Sequence, residues 1–167
     1  MGWWQGFGPI RLGLPAIELG RAALGAALGL LMAALALWGL GAGHTALIAP
    51  FGASAFLIFT VPGSPLAQPW PVVVGNTVSA LAALTVLLLG PPPLIAICLA
   101  VLLAIIAMAL TGSLHPPGGA VAIATVLAAP GLGFALSPVA AGSAALVLAG
   151  MVWHRLLGRP YPYRPQP

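Results

Sequence analysis

Residues 94–110 read LIAICLAVLLAIIAMAL, an apolar run with nothing more polar than Cys98. A helix crosses the roughly 30 Å hydrocarbon core of a bilayer with about 20 mostly apolar residues. This run therefore predicts a membrane-spanning helix, started by the breaker Pro91-Pro92-Pro93. On the N-terminal side, Val72 to Leu89 reads as a second clear span, preceded by the proline-rich loop Pro62 to Pro71. Ile17 to Leu40 reads as a third and Val139 to Leu157 as a fourth. Two shorter apolar runs complete the chain: Thr45 to Val61, which contains Pro50 and Gly52, and the run that follows His115 and ends at Ala129.

Charge supports the same solvent. Hydrophobic residues make up 61% of the 167 positions and charged residues 4%, where a soluble domain carries about a quarter charged. The stretch from Ala22 to Trp153 holds no Asp, Glu, Lys or Arg. A charge at mid-bilayer costs a few kcal/mol, so such a stretch is expected where lipid is the surroundings. The five arginines, Arg11, Arg21, Arg155, Arg159 and Arg164, form two short flanks, and Glu18 is the sole acid. Glu18 and Arg21, three apart on one helix, read as an interfacial ion pair. The net charge of +4 sits on those flanks rather than in a stripe, and no polar and aromatic face is evident in the sequence beside it, so the expected reading is positive-inside topology, with no nucleic-acid partner.

Six helical elements put both termini on one side, and the positive-inside rule places that side in the cytoplasm. If elements two and five re-enter without crossing, four spans remain and the termini still share a side. The expected fold is an all-α polytopic membrane protein in one domain over residues 1–167. Residues 1–16 form an interfacial segment with Trp3, Trp4 and Phe7 as anchors, 17–89 a first half, 92–157 a second half and 158–167 a cytoplasmic tail. The start of the chain lacks the features of a cleaved signal peptide. The expected compartment is a bacterial inner membrane.

The two broken elements carry matching segments. Ala49-Pro50-Phe51-Gly52-Ala53-Ser54-Ala55 can be laid on His115-Pro116-Pro117-Gly118-Gly119-Ala120-Val121. Two three-element halves in which every element crosses must run in opposite senses, the inverted-repeat plan that transporters use around a mid-membrane site. Proline suits the first turn of a helix, where its missing N–H would be unpaired anyway. Helix N-termini offer free donors and partial positive charge to anions. Pro50, Gly52, Ala53 and Ser54 in one half, and Pro116, Pro117, Gly118, Gly119 and Ala120 in the other, are therefore candidate anion-binding residues. The competing reading is that these residues kink two packed helices.

His115 is the one ionisable residue deep in the chain at an irregular position; it is a candidate anion contact and proton carrier, or a helix-end cap. Asn76 and Gln68 are candidates to line a path, with interhelical hydrogen bonding as the alternative, among the hydroxyls of Thr77, Ser79 and Thr85. His44, at a loop end, and His154, beside Arg155, read as interfacial. Cys98 reads as packing and excludes an intrachain disulfide. No carboxylate pair, metal-ligand cluster or phosphate-binding loop occurs, so neither an enzyme nor an ATP-driven pump is expected, and no cofactor.

The motif His115-Pro116-Pro117-Gly118-Gly119-Ala120 resembles the signature of the HPP family of integral membrane proteins. Ala49–Ala55, followed by Ser64-Pro65-Leu66-Ala67-Gln68-Pro69, is similar to that family's other characteristic segment. The resemblance runs from about Arg21 to Leu157. It implies a small helical membrane protein that moves a small inorganic anion, with nitrite the first candidate. After Gln68-Pro69 the family has an Asn and a glycine-rich stretch, whereas this chain has Trp70-Pro71-Val72-Val73-Val74-Gly75, a departure that bears on specificity. The alternative is a non-conducting structural or regulatory membrane subunit, since polar residues are few. Gly25-x-x-x-Gly29 fits close helix packing or contacts within a homo-oligomer.

Overall fold

A computed structural model describes residue 13 and residues 15–42 and 49–163. Arg11, Arg164, His44 and the anchors Trp3, Trp4 and Phe7 lie outside the described residues. All regular structure among the described residues is helical. The elements are α1 (Ala16–Gly39), α2 (Pro50–Thr60), α3 (Asn76–Leu88), α4 (Pro93–Leu110), α5 (Pro117–Ala128) and α6 (Ala141–Leu156). Short 3₁₀ turns and wide π turns lead into α3 and α6: Pro65–Ala67 and Pro71–Gly75 before α3, Leu132–Ala135 and Leu136–Ala140 before α6.

Four segments are long and apolar enough to cross a membrane: Ala16–Gly39, Pro71–Leu88, Pro93–Leu110 and Leu132–Leu156. At 1.5 Å per residue, the 11 residues of α2 and the 12 of α5 extend only about 16–18 Å, too short to cross unaided. Proline opens α2, α4 and α5 as expected. The chain turns out of α4 through Gly112, whose φ of +60° is a glycine conformation. Ser113 N–H there donates back to Met108 O at 2.8 Å, a helix stop of Schellman type.

Contacts fix the direction of each helix. Call the end of the bundle where α1 begins proximal. Near that end Gly25 faces Trp153 of α6 and Phe59 at the close of α2, while toward the distal end Gly142 of α6 faces Leu37 of α1 and Phe51 of α2. So α1 runs one way and α2 and α6 run the other. Val72, just ahead of α3, packs with Ile58 and Phe59 near the proximal close of α2, so α3 starts toward that end and runs with α1. Gly75 faces Ser113 and Met108 at the close of α4, and Gly118 of α5 faces Met108 and Gly75, so α5 runs with α3 and α4 against both. Chain direction reverses at each of the six helices. Glu18 pairs with both Arg21, at 2.9 Å, and Arg159, so the start of α1 and the chain beyond α6 share the proximal end.

Packing follows the physics of lipid, where leucine gains little by burial and close approach of small residues holds helices together. The buried stripe of α1 is Ala22, Gly25, Gly29, Ala33 and Leu37, while Leu24, Leu28, Leu31 and Leu35 face outward. Likewise α4 buries Ala96, Ala100, Ala104 and Met108 against Ala82, Ala83 and Val86 of α3 and Ala122 and Val126 of α5. A Cβ on Gly25 would lie 2.5 Å from Trp153 Nε1, and one on Gly29 2.6 Å from Phe59 Cζ. The Gly25-x-x-x-Gly29 face is thus used inside the chain and is closed to a second copy.

Candidate functional site

The irregular segments expected to matter are brought together by a string of buried polar side chains. His115 follows the α4 stop and precedes Pro116 and Pro117. Its Nδ1 lies 2.8 Å from Leu66 O and its Nε2 2.8 Å from Ser54 Oγ. Ser54 sits in the second turn of α2. Asn76 Nδ2, at the start of α3, lies 3.3 Å from Ser54 Oγ and 3.1 Å from Ser143 Oγ on α6. His115, Ser54, Asn76 and Ser143 have no exposed surface.

Counting hydrogens fixes the direction of every bond. Leu66 O can only accept, so Nδ1 of His115 carries a hydrogen. In the neutral ring Nε2 then accepts, and Ser54 donates its hydroxyl hydrogen to it. With that hydrogen spent, Ser54 Oγ accepts from Asn76, whose second amide hydrogen reaches Ser143. The string reads Leu66, His115, Ser54, Asn76, Ser143, with no net charge anywhere. Asn76 Oδ1 is buried and has no hydrogen-bond partner, and buried polar atoms seldom remain so.

Local structure places these groups. The π turn at Pro71–Gly75 adds a residue per turn just ahead of Asn76, a distortion common at functional sites. Gly75 has no room for a side chain: a Cβ would lie 2.4 Å from Ser113 O and 2.9 Å from His115 Cβ. Its bareness lets the head of α3 press on the His115 loop. No local pattern around Gly75 marks this role. Ser143 was missed as well, although it is the single hydroxyl in α6.

Other candidates fall elsewhere. Gly52, Ala53, Pro116 and Ala120 lie on the outer surface of the bundle, whereas Pro50, Pro117 and Gly118 are buried. The amides of Gly52, Gly118 and Gly119 donate to Ala49 O, His115 O and Pro116 O at 3.0, 2.8 and 3.0 Å. Those three amides are occupied within their own turns, which corrects the expectation that they stand free for an anion. Gly118 is also closed sterically, since a Cβ there would lie 2.6 Å from Ser79 Oγ and 2.9 Å from Met108 Sδ. Gly119 alone of the pair borders open space, an apolar recess of ≈ 470 Å³ walled by Leu66, Val101, Ile105, Met108 and His115. A second recess of ≈ 330 Å³ brings Pro50 and Ala53 opposite Ala120 and Leu127.

Most of the remaining polar groups are tied up locally, although His154 Nδ1 is buried without a partner. Thr77, Ser79 and Thr85 hydroxyls donate to carbonyls four residues back, at 2.6, 2.7 and 2.9 Å. Gln68 donates to Pro62 O and Ser64 O, both at 2.8 Å, and accepts from Tyr163 N–H, so it staples a loop and the tail. His154 is fully buried within the protein, with Nε2 donating to Ile58 O at 2.9 Å and its ring near Phe59 and Tyr161. Tyr161 donates to Ala67 O at 2.9 Å, and burial raises its phenol above the ordinary tyrosine range. Among the described residues no group of three His, Cys, Asp or Glu could hold a metal ion.

A helical bundle with no formal charge between Ala22 and Trp153, four lipid-length segments and an interior polar string defines a polytopic α-helical membrane protein. The chain belongs to the HPP family: residues 13–162 match the family model described as HPP, transmembrane region. It is 40% identical over 114 residues to one transmembrane protein of Dictyostelium discoideum, covering 64% of this chain and 37% of the relative. It is 38% identical over 114 residues to another from the same organism, covering 64% of this chain and 40% of the relative. The chain thus spans well under half the length of these curated relatives. No solved structure matches.

Proposed function

We propose that this protein is a transporter of a small monovalent anion, nitrite the leading candidate, and that the anion and a proton are handled together at His115, Ser54 and Asn76. The observation that carries the reading is the fully buried, uncharged string from Leu66 O to Ser143, with Asn76 Oδ1 lacking a partner at its centre. A second proton on Nε2 would turn His115 into a donor toward Ser54. Ser54 would then need a new acceptor for its own hydrogen, and an anion supplies one. Proton and anion would favour each other's binding, and the pair would cross as a neutral unit. That removes the cost of about 2.3 kcal/mol per 100 mV for an anion entering against an inside-negative potential. The unpartnered Asn76 Oδ1 suits the O–H of the neutral acid.

The two-half plan is part of the proposal. Support comes from the element order, which repeats as long helix, short proline-led helix, 3₁₀ turn, π turn, helix, with the halves running in opposite senses. The spacing Pro71-x-x-x-Gly75-Asn76 recurs as Pro138-x-x-x-Gly142-Ser143, and the two corresponding residues, Asn76 and Ser143, touch at 3.1 Å. We place both termini in the cytoplasm, from the arginines near the proximal end, and the protein in a bacterial-type inner membrane. Ser54 and His115 are read as a proton-linked pair and not as a hydrolytic one, because His115 Nδ1 is held by the carbonyl of Leu66 and the sequence has no carboxylate to stand behind the imidazole, its one acid, Glu18, being paired with Arg21 and Arg159.

One observation favours a non-conducting subunit: the hydroxyls of Thr77, Ser79, Thr85, Thr111 and Thr125 are satisfied within their own helices. Flux into liposomes of the purified protein separates the two readings. Nitrite, nitrate, formate and chloride are compared at two pH values, for wild type and His115→Ala. Saturable nitrite flux that rises with acidity, with the pH dependence lost in the variant, is expected. No flux from correctly inserted protein supports the subunit reading, and unchanged pH dependence removes His115 as the proton carrier.

A further inference from the structure

The proximal end carries a recess of ≈ 640 Å³ between the last turns of α6 and the chain that follows, lined by Leu148, Met151, Val152, Arg155, Arg159 and Tyr161 among others. Its chemistry is graded. Leu148 and Val152 are exposed and apolar, and Arg155 and Arg159 stand at the helix end. The rise from Leu148 to Arg155 is about 10 Å. The recess is walled by chain that is held in place: Gly158 turns at φ +66°, Arg159 N–H donates to His154 O at 2.9 Å, and Tyr161 and Tyr163 are tied to Ala67 and Gln68.

Charge at this end is unbalanced. Glu18, the one acid in the sequence, is already shared between Arg21 and Arg159. Arg155 is exposed and faces no acid among the described residues. We infer that this recess binds an anionic glycerophospholipid, with the headgroup phosphate between Arg155 and Arg159 and an acyl chain along Leu148 and Val152. Apolar-to-basic polarity along the helix matches that of a phospholipid, and the uncompensated arginine selects an anionic one. The site is independent of the buried His115 string.

The test is lipid-dependent thermal stability of the full chain in neutral detergent, titrated with phosphatidylglycerol, phosphatidylcholine or inorganic phosphate. Phosphatidylglycerol should stabilise at lower concentration than phosphatidylcholine. A basic residue near a membrane surface contributes about 1 kcal/mol toward anionic lipid, so Arg155→Gln should raise the half-maximal phosphatidylglycerol concentration about fivefold, and Arg155→Lys should restore it. Arg155 is exposed and outside the Glu18 pairings, so folding is retained. Equal response to both lipids, an unaltered midpoint in Arg155→Gln, or competition by millimolar inorganic phosphate alone would overturn the lipid assignment, the last outcome indicating a site for free anions.

Discussion

Replacing Gly118 by alanine should destabilise the protein, whereas the same change at the adjacent Gly119 should not. At Gly118 the new methyl would lie 2.6 Å from Ser79 Oγ, 2.9 Å from Met108 Sδ and 3.2 Å from Gly75 O. Met108 can swing aside. Ser79 cannot do so freely, because its hydroxyl donates to Gly75 O at 2.7 Å, a bond worth about 1 kcal/mol. Gly75 O is backbone and cannot yield. Overpacking of this kind costs about 1–3 kcal/mol, reduced by up to about 1 kcal/mol for alanine's better helix propensity. At Gly119 no atom lies within 4 Å of the added carbon, so the propensity gain should stand alone. Thermal unfolding in detergent, read by circular dichroism, should give a lower midpoint for Gly118→Ala and an unchanged or slightly higher one for Gly119→Ala. Because Ser79 is the main obstruction, Ser79→Ala should recover part of the loss in a double-mutant cycle. Equal midpoints for the two single variants would refute the packing of α5 on α3 and α4 described above.

Three other outcomes are expected. Asn76→Leu removes two hydrogen bonds but also an unpartnered buried oxygen, so stability should fall by only about 1 kcal/mol while anion flux into liposomes is lost; retained flux would exclude Asn76 from the path. Gly29→Leu would drive a side chain into Phe59 and Leu146 and should lower the yield of folded protein in size-exclusion chromatography far more than Gly20→Leu, where nothing lies within 4 Å. Tyr161→Phe deletes the bond to Ala67 O and should cost about 0.5–1.5 kcal/mol. Because burial raises the Tyr161 phenol above its unfolded value of about 10, its contribution is complete below pH 10 and fades as alkalinity rises further. The wild type should therefore lose part of its stability lead over the variant in strong alkali, as followed by thermal unfolding.

The membrane class and the six elements could be read directly, because an apolar run and a proline break are local properties of the chain. Residues 94–110 and the proline before them needed no tertiary information. The site was legible in part. His115, Ser54 and Asn76 were all candidates, and the fold joins them within hydrogen-bond distance. What sequence could not supply was which neighbouring groups already have partners. The amides of Gly52, Gly118 and Gly119 turned out to be used by their own turns, and the bareness of Gly118 and Gly75 serves contact with other helices. Those are long-range facts, set by how α3, α4 and α5 stack. Similarly, His154 adjoins the exposed Arg155 in sequence, but one residue along a helix is a rotation of about 100°, which turns the imidazole into the protein.

The stretch from Ala22 to Trp153 without a formal charge has a consequence for electrical measurement. A transmembrane potential does work only on charge that moves through it, and each elementary charge is worth about 2.3 kcal/mol per 100 mV. The interior side chains of this protein present no such charge while His115 is neutral, so the scaffold itself has no gating charge. Under the transport proposed above, any voltage dependence of rate would come from the cargo or from a proton resting on His115, and flux measured against voltage would report the charge that crosses.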